Sequence, residues 1–195
     1  MRSILVIGIV LAIPLTGLAQ SQSYMPLDVN DKLDYQIKQS LGPLAILEDA
    51  AYAGILQGID TPKEWGQGGS AYSRRLASTA ASSGIHSALA FGLDSTLHED
   101  PRYFRSGSGS FLRRAGHAFR GTILTHTDHG TETLSFWRFG SAYGAAYLSN
   151  QWYPARLNTV GLGFSEGSLR LGFDLASNLA SEFWPDIKRM VFRRK

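Results

Sequence analysis

Apolar and small residues recur at every fourth position between Ala71 and Leu97, and this pattern predicts a long central helix. The apolar stripe is formed by Ile85, Leu89, Leu93 and Leu97, and the small-residue stripe beside it by Gly84, Ala88 and Gly92. Small residues at this spacing allow a second backbone to approach closely. No charged residue occurs from Leu76 to Leu93, but the run contains four serines, a threonine and a histidine, which favours a helix buried in protein over a transmembrane one.

Four further helices are predicted on either side of this one. They cover Asp31 to Leu41 with Asn30 as the cap, Pro43 to about Gln57, Phe111 to Thr125, and Leu134 to Tyr153. In the third of these the spacing directs Phe111 and Phe119 toward the core and Arg113, Arg114 and Arg120 toward water. In the fourth, Phe139, Tyr143 and Tyr147 align beside Gly140 and Gly144, which is typical of core packing.

The segments 122–137 and 159–175 allow two interpretations. Val160, Leu162 and Phe164 alternate with polar or small residues, as do Leu169, Leu171, Phe173 and Leu175, and such alternation is typical of a hairpin. The same residues also fit a glycine-rich helix. We therefore expect an all-α fold, a compact bundle of about five to seven helices with Gly/Ala/Ser packing faces, and we keep a small outer-membrane β-barrel as the alternative.

The two ends of the chain suggest export and contact with a membrane. Residues 1–19 combine Arg2, an apolar stretch from Ile4 to Leu15 and small residues up to Ala19, which predicts a cleaved signal peptide followed by a single helical domain over 20–195. At the other end, Pro185 is expected to start a basic amphipathic helix. Its predicted membrane-contact residues are Trp184, Lys188, Arg189, Arg193, Arg194 and Lys195. We expect the protein in the periplasm or the outer membrane.

Composition excludes several functional classes. The sequence has no cysteine, so disulfides, thiolate metal sites and cysteine nucleophiles are excluded. Its formal net charge is only +3, which argues against a nucleic-acid partner. Neither a P-loop nor an HExxH or GxGxxG motif occurs, and we expect no cofactor.

Two groups of residues could carry chemistry. His98, Glu99, Asp100 and Arg102 offer a base, two carboxylates and a guanidinium within five residues, enough for acid–base or metal-assisted hydrolysis. A structural elbow after the central helix is the favoured interpretation, because neighbouring side chains point in different directions. His126 and His129 are three residues apart with Asp128 between them, a set that could hold a divalent metal, and His117 is nearby in sequence. They lie at a glycine turn, and the sequence offers no further ligand at a diagnostic spacing.

Four stretches of the sequence together resemble an uncharacterised family of exported bacterial envelope proteins. They are Thr61 to Gly68, His98 to Phe104, Ser149 to Pro154, and Glu182 to Lys188. The resemblance implies an envelope location and one compact domain, and it implies no activity. The leading hypothesis is a non-enzymatic, membrane-associated protein whose partner is a membrane surface, another envelope protein or a second copy of itself. A hydrolase using the His98–Arg102 elbow is the alternative.

Overall fold

The computed structural model describes residues 24–192, which fold into six α-helices, two short 3-10 helices and a small antiparallel hairpin. The helices are α1 (Val29–Leu41), α2 (Pro43–Gly58), α3 (Gly69–Thr96), α4 (Phe111–Ile123), α5 (Phe136–Ser149) and α6 (Val160–Phe192). The 3-10 helices cover Lys63–Trp65 and Asn150–Trp152, and the strands are β1 (Leu124–His126) and β2 (Glu132–Leu134). The predicted signal peptide lies outside the described residues.

Local sequence signals account for the helix boundaries near the start of the chain. The carboxylate of Asp28 accepts a hydrogen bond from the Asp31 backbone N–H at 2.8 Å, so Asp28, and not the predicted Asn30, caps α1. Gly42 then adopts an extended conformation that separates α1 from α2, and Pro43 occupies the first turn of α2. Proline is suited to that position because its missing N–H would have no partner there.

Helix α3 lies at the centre of the bundle. It packs against α1 and α2 on one side and against α5 on the other, while α6 packs against both α5 and α4. The β1–β2 hairpin connects α4 to α5, with Leu124 paired to Leu134 and His126 to Glu132. These contacts confirm the all-α fold class and the hairpin interpretation for the segment around residues 122–137.

The strand interpretation of segment 159–175 is wrong, because the segment lies within α6, a single helix of 33 residues. Polar residues follow one another there at every fourth position, and this spacing outweighs the shorter alternation of the apolar residues. These polar residues are Glu166, Arg170, Asp174, Asn178 and Glu182. Pro185 does not start a separate helix, as predicted, but lies inside α6.

Glycine residues bring α5 close to its two neighbours. A Cβ atom built on Gly167 would lie 2.3 Å from the ring of Tyr143, and one on Gly163 would lie 2.5 Å from the ring of Tyr147. Gly140 and Gly144 of α5 similarly receive the ends of Leu93 and Leu89 from α3. The predicted packing role of the α5 glycines and tyrosines is thereby confirmed.

The small-residue stripe of α3 differs from this arrangement. Gly84 and Gly92 are exposed, and a Cβ atom on either would meet nothing within 4 Å, so this stripe faces away from the neighbouring helices. The expectation that it seats another helix of the same chain is therefore wrong. The apolar stripe beside it, through Leu89 and Leu93, makes the contact with α5 instead.

The distribution of polarity is inverted relative to that of an ordinary water-soluble domain. Among residues 24–192, the buried apolar side chains are alanines together with Leu56 and Trp137, whereas fully buried side chains include Arg75, Lys32, Glu99 and Glu182. Large apolar side chains are exposed on five of the six helices and at Leu97, directly after α3. They include Ile37, Leu47, Leu97, Phe111, Leu148 and Phe173. An interior rich in charge and an apolar exterior both require an explanation, because soluble domains usually show the reverse.

Helix α4 follows this inversion and corrects three predicted orientations. Phe111 and Phe119 were expected in the core, but they are 67% and 55% exposed. Arg114 was expected to face water, but its side chain is only 12% exposed because it binds two carboxylates of α6. Arg113 and Arg120 are exposed as predicted, so the predicted orientation is wrong for Phe111, Phe119 and Arg114.

We predict that Gly167→Ala lowers the free energy of unfolding by about 1–3 kcal/mol, because the new methyl group would overlap the Tyr143 ring. Gly172→Ala on the same helix is the matched control, since a Cβ atom there meets nothing within 4 Å. The control should be neutral or more stable by about 0.5–1 kcal/mol, from the higher helix propensity of alanine. Urea unfolding followed by circular dichroism measures both, and equal stability of the two variants would contradict the ring–glycine contact.

Candidate functional site

The acidic elbow that follows α3 is held in place by the β1–β2 hairpin. Its turn begins at His98, which has a positive φ of 54°. The Asp100 backbone N–H donates to the His126 carbonyl at 2.7 Å, and the Asp128 N–H donates to the His98 carbonyl at 2.8 Å. Because the hairpin pairs with the elbow backbone, the predicted catalytic and metal candidates are brought to the same end of the bundle.

The side chains of the elbow nevertheless turn to different partners. His98 is 71% exposed, with its Nδ1 3.4 Å from a carboxylate oxygen of Asp128. Glu99 is buried, and its carboxylate accepts the Trp137 backbone N–H at 3.0 Å, in the first turn of α5. Asp100 is fully buried and pairs with Arg102 at 2.6 Å. The four residues do not converge on one cleft, and this arrangement gives no support to a shared acid–base centre.

The three candidate metal ligands are also separated by their contacts. His126 packs between the rings of Tyr24 and Phe104, at centroid distances of 5.6 and 5.1 Å. Asp128 pairs with Lys32 at 2.9 Å, and His129 is exposed. The nearby His117 places Nε2 2.8 Å from the Phe104 carbonyl oxygen. Within residues 24–192, no group of three or more histidine and carboxylate side chains is arranged to hold a metal ion.

Lys32 joins the N-terminal helix to the elbow. It is 1% exposed, and its Nζ donates to both carboxylate oxygens of Asp128 at 2.9 Å and to the Asp94 carbonyl at 3.2 Å. One turn later, Gln36 donates to the Asp94 carboxylate at 2.8 Å. Burial raises the pKa of Asp94 to about 6, although the hydrogen bonds from Gln36 and Ser95 and the charge of Lys32 oppose that rise.

Arg75 organises the loop between α2 and α3. Its guanidinium is fully buried and donates to the carbonyls of Thr61, Pro62 and Gly66 at 2.8–2.9 Å. In the same loop, Trp65 packs against Tyr153, with the ring centroids 5.5 Å apart. Hydrogen bonds from Arg75 therefore hold the loop against the start of α3, and Trp65 contributes to packing.

At the end of the bundle away from the α2–α3 loop, the carboxylate of Glu182 accepts hydrogen bonds from four groups. It is 0% exposed and accepts from the Tyr103 hydroxyl at 2.8 Å, from the Gly107 and Ser106 backbone N–H groups at 3.0 Å, and from Arg114 Nε at 3.1 Å. Burial alone would raise the pKa of Glu182, but these donors outweigh burial and lower it. Glu182 therefore fastens both the segment after the elbow and α4 to α6.

Arg138 is buried where α4, α5 and α6 meet. It donates to the carbonyls of Gly121 and Thr122 at 2.9 and 3.0 Å, and its Nε lies 3.6 Å from a carboxylate oxygen of Asp174. Arg138 is the single charged residue between Leu134 and Tyr153. No role for Lys32, Arg75, Arg138 or Glu182 was predicted. The four-residue spacing of polar positions, from Glu166 to Glu182 and from Lys32 to Gln36, was the available signal.

The predicted membrane-contact residues lie at the end of α6. Trp184 is half-buried, and Lys188 and Arg189 are exposed. Arg193, Arg194 and Lys195 lie outside the described residues. In the part of the chain covered by residues 24–192, no helix combines the length and the apolar character needed to cross a bilayer.

No family model, curated protein or solved structure matches this chain. The resemblance to exported envelope proteins stays a prediction.

We predict that Glu182→Gln lowers the free energy of unfolding by about 2–4 kcal/mol, because an amide NH₂ would face donors that now meet a carboxylate oxygen. Asp186→Asn is the matched control, since Asp186 also pairs with Arg114 but its side chain is 42% exposed. The control should lose no more than about 1 kcal/mol. Urea unfolding compares the two variants, and a similar small loss in both would show that Glu182 is not a structural clamp.

We predict that Asp94 makes the protein more stable as the pH falls from about 6 toward 4, because its folded-state pKa is raised to about 6 from 3.8. The folded protein then binds a proton more readily than the unfolded chain across this window. The contribution is at most about 1.4 kcal/mol per pH unit. Asp94→Asn should remove it, so the stability of wild type relative to this variant should rise on acidification. A relative stability that does not change between pH 4 and 6, measured by urea unfolding, would contradict the shift.

Proposed function

We propose that this chain is an exported, non-enzymatic envelope protein that associates with a membrane through its apolar exterior. The observation that carries the proposal is the inverted distribution of polarity. Within residues 24–192, the fully buried side chains larger than alanine are charged or polar apart from Pro62, while 24 large apolar side chains are exposed. Exposed apolar surface on this scale marks a contact with a membrane or a protein partner.

The placement of charge supports a membrane over a single protein partner. Large exposed apolar side chains occur on five of the six helices, all except α3, and are not confined to one patch. The exposed positions of α3 from Ala77 to Gly92 are alanines and glycines, without charge. Two exposed ion pairs, Glu64 with Arg156 and Arg120 with Glu132, lie near helix ends, and a third, Asp34 with Lys38, lies within α1. A long helix surface without charge, as on α3, is compatible with the apolar core of a bilayer.

The interior supports a structural role for the charged residues. Arg75, Glu99, Asp100 and Glu182 each bind backbone groups or a neighbouring charge, and those contacts connect helices, loops or both. Buried charges of this kind are tolerated where each has good partners. The signal-like segment at residues 1–19 supports the export part of the proposal from the sequence alone.

We predict that the protein floats with vesicles of pure phosphatidylcholine and that lysine at exposed apolar positions reduces binding. The test variant carries Leu47→Lys, Leu169→Lys and Phe173→Lys, at positions that are 64%, 48% and 41% exposed. Removing one such apolar contact should weaken partitioning by about tenfold, since burying a leucine or phenylalanine contributes roughly 1.5–3 kcal/mol. Sucrose-gradient flotation measures the bound fraction.

The control variant introduces the same three charges at exposed polar positions, as Gln39→Lys, Ser70→Lys and Ser165→Lys. It should float as the wild type does. If the wild type stays with the aqueous phase and sediments as a discrete oligomer, the apolar exterior is covered by protein and the membrane proposal is wrong.

A further inference from the structure

Helix α4 and the last turns of α6 form an antiparallel pair at one end of the bundle. The Phe111 ring at the start of α4 stacks on Phe183, with centroids 4.9 Å apart. At the other end of α4, the Asn178 amide donates to the Thr122 hydroxyl at 3.0 Å. The beginning of α4 therefore lies beside the end of α6, and the two helices present their exposed residues together.

The acidic side chains of this pair are neutralised internally. Arg114 binds Glu182 at 3.1 Å and also pairs with Asp186, and its guanidinium carbon lies 4.4 Å from the centre of the Phe183 ring. Residues 103–114 and 182–191 contain no other aspartate or glutamate. Arg114 thus connects the two helices and neutralises the charges of Glu182 and Asp186.

Three cations remain at the surface of the same end. Arg113, Lys188 and Arg189 are exposed, and none of them forms a salt bridge with the residues that the structure describes. Arg113 adjoins Arg114 in α4, and Lys188 and Arg189 follow Asp186 by two and three residues in α6. The sequence continues with three more basic residues, Arg193 to Lys195.

Large apolar side chains lie beside these cations. Phe111 and Leu112 are 67% and 80% exposed at the start of α4, and Met190 and Val191 are 68% and 63% exposed near the end of α6. A surface that combines unpaired cations with large apolar groups has the composition of helices that lie at the boundary between headgroups and acyl chains.

Building on the membrane association proposed above, we propose that this α4–α6 face binds the anionic headgroups of a phospholipid bilayer. Arg113, Lys188 and Arg189 contact the phosphates. Phe111, Leu112 and Met190 enter the adjoining acyl region. Charge complementarity selects this occupant, because a second copy of the chain would place the same three cations against each other. The two carboxylates that could oppose an anionic surface are already bound by Arg114.

The test compares the wild type with the triple variant Arg113→Gln, Lys188→Gln and Arg189→Gln. Each protein is floated with vesicles of phosphatidylcholine alone and with vesicles of equal parts phosphatidylcholine and phosphatidylglycerol. The wild type should prefer the anionic vesicles, by up to about fivefold for each contacting charge. The triple variant should lose at least about tenfold of that preference while its binding to neutral vesicles is unchanged. High salt should reduce the preference of the wild type in the same way.

The matched control is Lys63→Gln, Arg74→Gln and Arg156→Gln, which removes three exposed cations near the opposite end of the bundle. This control should keep the anionic preference. An equal loss in both triple variants would show that the preference depends on net charge. No loss in either variant would show that the α4–α6 face does not bind lipid. Either result overturns the inference. A change in oligomeric state of the first variant in detergent, without a change in lipid preference, would identify the face as a self-association surface and also overturn it.

The neutral vesicles separate this inference from the function on which it rests. If the wild type binds neutral and anionic vesicles equally, the apolar association stands and the headgroup site is wrong. If the wild type binds neither, the proposed membrane association itself fails.

Discussion

Charged side chains enclosed by helices need partners for their polar atoms, and this requirement shapes the whole bundle. Arg75 meets it with loop carbonyls, Lys32 with Asp128 and the end of α3, and Glu182 with two backbone N–H groups, a hydroxyl and a guanidinium. Each of these side chains connects segments that are distant in sequence. The polar groups therefore determine which loops and helices meet, while the buried alanines let the helices come close enough for those bonds to form.

The helical fold could be predicted from the sequence because its main signals are local. Gly42-Pro43 separates α1 from α2, and the predicted helices from Ala71 to Leu97 and from Leu134 to Tyr153 correspond to α3 and α5. The glycines at 140 and 144 were correctly assigned to helix packing. Segment 159–175 was ambiguous because its apolar residues alternate while its polar residues follow the helical repeat. The four-residue spacing of Glu166, Arg170 and Asp174 is the signal that favours the helix.

The roles of individual side chains could be predicted less well, because sequence spacing identifies two faces of a helix without showing which one is enclosed. The usual assumption places the apolar face inside, and it fails for Phe111 and Phe119. Partners separated by many residues, such as Lys32 with Asp128, cannot be derived from spacing at all. The acidic elbow was a candidate for acid–base chemistry, but its carboxylates have structural partners. Glu99 accepts a backbone N–H from the first turn of α5, and Asp100 pairs with Arg102.

The two tyrosine rings seated on glycines fix the position of α6 along α5. Tyr143 lies over Gly167 and Tyr147 over Gly163, so both helices carry the same four-residue interval in opposite directions. Sliding by one helical turn would keep one ring on a glycine and bring the other against Leu171 or Thr159, where a side chain fills the space. Translation between the two helices is therefore blocked in either direction. A rearrangement of the bundle that keeps both ring–glycine contacts must therefore carry α5 and α6 as one unit.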